Sequence, residues 1–144
     1  MTFAGMNYLA ILVAAVIGFA AGFAWYGTLG NQWMAALGKS KQDLLPGDKP
    51  PVAAMITSVL ALLIMAWALA GVMGHLGRYG VWPGMVNGFF LWLGFVATAL
   101  AVNHRYQRSP WSLTLIDAGH WLLVLVLQGA VIGWFGVAAA AANS

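Results

Sequence analysis

Asp117 and His120 are the two strongly ionisable side chains inside any long apolar segment of this sequence, three residues apart in the run Leu113–Leu122. Residues at i and i+3 are neighbours on a helix, so the carboxylate and the imidazole share one face. Such a pair can take up and release a proton, or hold a cation, at membrane depth. The plainer alternative is a carboxylate that leans back toward Arg105 or Arg108, beside a neutral imidazole bonded to Asp117 or to a hydroxyl. With Trp111 and Trp134 as interface markers about 34 Å apart, Asp117 lies about 9 Å and His120 about 13 Å inside the span. A carboxylate facing lipid there costs roughly 2.5–3.5 kcal/mol. It is therefore expected to face protein or water.

Helical arithmetic extends the pattern. Asp117 and Gln128 are eleven residues apart, close to three turns, with Trp121 and Val124 between them on the same face. Asn87 and Thr98 on the preceding helix have the same spacing. Matching depths on antiparallel helices predicts two buried polar layers. One holds Asp117, His120, Thr98 and Thr57 or Ser58; the other holds Asn87 and Gln128. As glue, interhelical hydrogen bonds of this kind contribute roughly 0.6 kcal/mol each in bilayers.

Other chemistries find little support. Hydrolysis needs a nucleophile with an oriented base, and no Ser stands in such a motif, so no catalytic residue is expected. A metal site needs three or four ligands, and only Asp117, His120 and His104 share a side. Bis-histidine haem ligation by His104 and His120 is conceivable, but His104 is expected at the interface. No metal, cofactor or enzymatic activity is expected. The absence of Cys removes disulfides and thiolate ligands.

These residues need a scaffold, and its solvent is hydrocarbon. The chain has 144 residues, 62% hydrophobic and 6% charged, which suits a single domain without enough charge to cover a water-facing surface. A net charge of +3 is too small and scattered to suggest nucleic acid as a partner. Apolar runs predict four spans at about 7–26, 52–74, 81–103 and 111–135, antiparallel in a bundle. A cleaved signal peptide fits poorly, since no Lys or Arg precedes Lys39.

Trp25, Tyr26, Trp33, Trp111 and Trp134 are expected as interface anchors. Residues 31–37 form a short interfacial helix ended by Gly38. Small residues recur every four positions: Ala14, Gly18 and Gly22 in the first span, Gly84 and Gly88 in the third, Gly129 and Gly133 in the fourth. Such stripes let helices approach closely where lipid removes the hydrophobic drive. Residues 30–50 and 104–110 fall on one side of a four-span chain. Five of the six Lys and Arg lie in or beside these loops, and Arg78 alone lies on the other side. The positive-inside bias puts both loops in the cytoplasm and both termini outside it.

The motifs Trp25-Tyr26-Gly27-x-Leu29, Trp33, Leu37-Gly38 and Asp117-x-Gly119-His120 resemble a bacterial family of four-helix membrane proteins, domain of unknown function 1761. The likeness covers nearly the whole chain. The family pattern often has a bulky apolar residue where Gly30 stands. The resemblance implies a fold and a membrane location, and no reaction. Taken together, these features lead us to expect an inner-membrane protein in contact with lipid. Its expected role is conduction or proton-coupled transport of a small solute or ion by the Asp117/His120 pair. The rival is a non-catalytic structural or partner-binding subunit. More close-packing stripes than one monomer uses suggest a homo-oligomer.

Overall fold

The computed structural model describes residues 2–3 and 6–142, with residues 2–3 and 137–142 described by backbone only. It is all-α apart from a two-residue antiparallel pairing of β1 (Thr2–Phe3) with β2 (Met6–Asn7). Six helices follow: α1 (Tyr8–Leu37), α2 (Lys41–Leu44), α3 (Val52–Leu76), α4 (Val81–Leu91), α5 (Thr98–Tyr106) and α6 (Trp111–Ala142). A widened turn of π geometry, Trp92–Ala97, joins α4 to α5 in one continuous rod. Four segments are long and apolar enough to cross a membrane: Tyr8–Leu37, Val52–Leu76, Val81–Tyr106 and Trp111–Gly136. The protein is a four-span helical bundle.

Local chemistry explains the boundaries. The Asn7 side chain accepts from the Ala10 N–H at 3.1 Å and starts α1. Gly38 ends it at φ 67°, a left-handed conformation that suits Gly. The chain differs here from the sequence expectation. Residues 31–37 are helical, but they continue α1 without a break instead of forming a separate interfacial helix. Gly27 and Gly30 cost about 1 kcal/mol each relative to Ala, yet no Pro or cap interrupts the hydrogen-bond ladder. The short separate helix is α2, started by Ser40 and Asp43 in a reciprocal capping box. At 30 residues α1 is about 45 Å long, against roughly 30 Å of hydrocarbon. It therefore outruns the bilayer or tilts strongly.

The central element is α6, which packs against α1 on one side and the third span on the other. Along the α4–α6 seam the backbones touch. A Cβ at Gly84 would overlap the Gly129 carbonyl, one at Gly88 the Leu125 carbonyl, and one at Gly133 the Gly80 carbonyl. Each step of four residues forward on α4 matches four backward on α6, which fixes an antiparallel register. On the other side Ile11, Ala14, Ala66, Leu69, Met73 and Ile132 form the main apolar core between α1, α3 and α6.

Candidate functional site

Asp117 lies two turns into α6, and side chains from two other helices reach its carboxylate. The Tyr26 hydroxyl of α1 donates to Oδ1 at 2.7 Å. The His104 Nε2 of α5 lies 3.7 Å from Oδ2, within ion-pair reach but longer than a good hydrogen bond. The carboxylate side chain is 19% exposed and that of His104 10%. Neither Arg105 nor Arg108 pairs with it. Arg105 instead donates from Nη2 to the Thr114 hydroxyl at 2.7 Å and stacks over Trp111 at 3.7 Å. The same hydroxyl lies 2.9 Å from His104 Nδ1. A Thr hydroxyl that accepts from Arg105 has its own proton free for Nδ1, which leaves the neutral imidazole with N–H at Nε2, facing Asp117. The result is a chain of polar groups from Arg105 through Thr114, His104 and Asp117 to Tyr26.

His120 stands apart from that chain. Its ring lies 4.9 Å from Tyr26 and 4.5 Å from Trp121, centre to centre. The buried Nδ1 has no hydrogen-bond partner among the described residues. Space for the ring exists because α1 carries Gly22 there; a Cβ would stand 2.8 Å from Nε2. The reciprocal fit occurs one turn away. The Trp25 indole fills the place a Cβ on Gly119 would take, 2.7 Å from it, and its N–H donates to the Ile116 carbonyl at 3.0 Å. From the third span, the Trp92 N–H donates to the Ala118 carbonyl at 2.7 Å. Trp25-Tyr26 and Asp117-x-Gly119-His120 thus interlock α1 with α6.

The remaining sequence candidates do not join this cluster. Thr57, Ser58 and Thr98 are exposed, and each donates to the carbonyl four residues earlier on its own helix, Ala53, Ala54 and Gly94 respectively. Hydroxyls in apolar surroundings satisfy themselves locally when no partner helix presents an acceptor. Thr98 does so beside the widened turn, where the normal ladder is displaced. The first expected layer therefore contains only Asp117 and His120 of its proposed members.

In the second layer Gln128 is fully buried, but its Nε2 donates to the Leu62 carbonyl of α3 at 3.1 Å, not to Asn87. Asn87 is half-buried on α4, and no hydrogen bond joins it to Gln128 among the described residues. Gly18 makes room for this arrangement: a Cβ there would lie 3.2 Å from Gln128 Nε2 and 3.0 Å from Leu62.

Among the expected anchors, Trp111 and Trp134 point outward, at 60% and 65% exposure. Trp25 and Tyr26 turn inward to the bundle, with Trp33 edge-on to Tyr26 at 5.3 Å. Sequence reasoning missed the inward roles of Tyr26, Trp25 and Trp92, missed Thr114 altogether, and set His104 at the interface instead of beside Asp117. Thr114 carries a usable signal, standing three residues before Asp117 on its face. His104 was discounted because it ends a span; α5 runs two residues beyond it, which keeps it buried against α6. No group of three or more His or acidic side chains converges as metal ligands among the described residues.

Four membrane-length helices with one carboxylate gripped between three of them define a small multi-pass membrane protein. The chain belongs to the family described as "Protein of unknown function (DUF1761)", whose model matches residues 9–133. No curated protein and no solved structure matches it.

Proposed function

We propose that the protein handles a proton, and with it a small solute or ion, through Asp117 at the end of the bundle that carries the basic loops. The observation that carries this reading is that the only acidic side chain within the four spans is held by Tyr26 and His104 from two neighbouring helices, with no arginine neutralising it. A carboxylate beside an imidazole can exchange a proton without moving the helices, and intramembrane acids commonly serve such transfers. His120 is the next titratable group inward. Beyond it Trp121, Val124 and Leu125 close the interior, so passage across the membrane requires those side chains to move. By the positive-inside rule the cluster sits at the cytoplasmic face of an inner membrane, with both termini on the far side. A homo-oligomer is part of the proposal, and no enzymatic reaction is.

The rival, a structural or partner-binding subunit, draws on one observation: the hydroxyls expected to line a path bond back to their own helices. Reconstituted vesicles carrying a pH-sensitive dye separate the two. Wild-type protein under an imposed potential is expected to pass protons well above protein-free vesicles, and Asp117→Asn to bring that flux to background. Equal flux in the variant, or none in the wild type, rejects the proton-handling role and leaves the structural one.

A further inference from the structure

The outer seam between α1 and α3 holds two apolar hollows that share Phe19 and Val59. One, of about 210 Å³, is walled by Leu12, Val16 and Leu63. The other, of about 400 Å³, runs past Leu60 and Met55 to Pro50. Together they follow α3 for about eleven residues, or about 17 Å. That is close to one bilayer leaflet, about 15 Å. Both hollows open outward along the seam, forming one shallow apolar groove on the lipid-facing side of α1 and α3. Its shape suits a single hydrocarbon chain.

The mouth is basic. Lys49 precedes Pro50 and is in no ion pair among the described residues, whereas Lys41 is tied to Asp48 at 3.5 Å. The other loop carboxylate, Asp43, is taken by the Ser40 N–H and hydroxyl, each at 2.8 Å. Lys49 thus stands without an ion-pair partner among the described residues, next to Pro50 at the end where an acyl chain would emerge.

We propose that this seam is a binding site for an anionic phospholipid, with one acyl chain between α1 and α3 and the headgroup phosphate at Lys49. The site is independent of Asp117 and of the proton-handling reading. Native mass spectrometry of the purified protein, offered phosphatidylglycerol or phosphatidylcholine with identical chains, tests it. The wild type is expected to retain phosphatidylglycerol at least about fivefold better, the contribution of one lysine near an anionic headgroup. Lys49→Gln is expected to abolish that preference while leaving chain occupancy. Val59→Trp, at the junction of the hollows, is expected to remove retention of both lipids, whereas Phe95→Trp on the exposed third span leaves it unchanged. Circular dichroism confirms that each variant is folded, and Leu63→Phe replaces Val59→Trp if that one is not. Equal retention of the two lipids, or undiminished retention in the groove-filling variant, overturns the proposal. So does a dimer that Val59→Trp dissociates, which would assign the seam to a second copy of the chain.

Discussion

At Gly129 and Gly133 α6 meets the third span through bare backbone, while ten residues earlier, at Asp117–His120, it meets α1 through large side chains. On the glycine side nothing lies between the helices, and any Cβ would strike a carbonyl. On the other side the Trp25 indole and the His120 imidazole are laid into spaces left by Gly119 and Gly22, with the Tyr26 ring against the imidazole. In lipid, where burial supplies no drive between helices, both devices are sources of packing energy. They differ in what they leave behind. Backbone contact excludes every other group. Glycine facing a large side chain creates a lined recess, and His120 stands in one of them, a turn from Asp117. The same residue type thus closes one end of α6 and furnishes the other.

The sharpest way to break this contrast is at the closed end. Gly129→Leu forces a branched side chain into the Gly84 carbonyl, which as helix backbone cannot rotate away. A loss of about 3 kcal/mol or more is expected, read as a shift in the unfolding transition in mixed micelles. Gly27→Ala is the matched control, since a Cβ there meets nothing within 4 Å. It should be neutral or stabilise by up to about 1 kcal/mol through helix propensity. If both variants behave alike, backbone contact does not hold α4 to α6.

A smaller effect is expected at the furnished end. Tyr26→Phe keeps the ring against His120 and Trp33 and removes only the hydroxyl that donates to Asp117. A hydrogen bond to a charged group contributes about 1.5–3 kcal/mol. Because Asp117 is partly exposed, about 1–2 kcal/mol is expected here. A double-mutant cycle with Asp117→Asn sharpens the reading. In the Asn background the Tyr26 substitution should cost clearly less than in the wild type. Equal costs in both backgrounds would mean that the hydroxyl bond does not hold the carboxylate.

How far these two regions can be read without coordinates follows from their physics. The four spans come from apolar run length, since hydrocarbon allows few alternatives to a helix. The glycine stripes are visible as spacing, but the face each stripe turns to, and the pairing of Gly84 with Gly129 and Gly80 with Gly133, depends on register between distant segments. Asp117 and His120 stand out because ionisable groups inside an apolar run are rare. Their partners do not stand out. Tyr26 and Trp25 carry the pattern of interface anchors, and the same ring can lie at a headgroup or donate inward to a carboxylate or carbonyl. Depth matching failed for Thr57, Ser58 and Thr98 because a hydroxyl can bond its own helix, an option that distance along the axis does not reveal. The break expected after Tyr26 failed for a related reason: glycine weakens a helix without ending it.

The least effect is expected where an acidic side chain stands outside the bundle. Asp43 accepts from the Ser40 N–H and hydroxyl, and these bonds hold its carboxyl below the usual carboxylate range. A depressed folded value means that the capping contribution is full above the unfolded carboxylate pKa, about 3.9, and fades as pH falls through the lower folded value. Only the four-residue α2 depends on it, and none of its residues is buried. Ser40→Ala should therefore raise the Asp43 pKa toward its ordinary value and speed amide exchange at Asp43 and Leu44. The unfolding transition of the four spans should not move. A shift of that transition in Ser40→Ala would show that the loop is coupled to the bundle and that α1 beyond Tyr26 is braced by it. Silence there, set against a measurable loss in Tyr26→Phe, would assign the structural consequences of carboxylate bonding to the bundle interior alone.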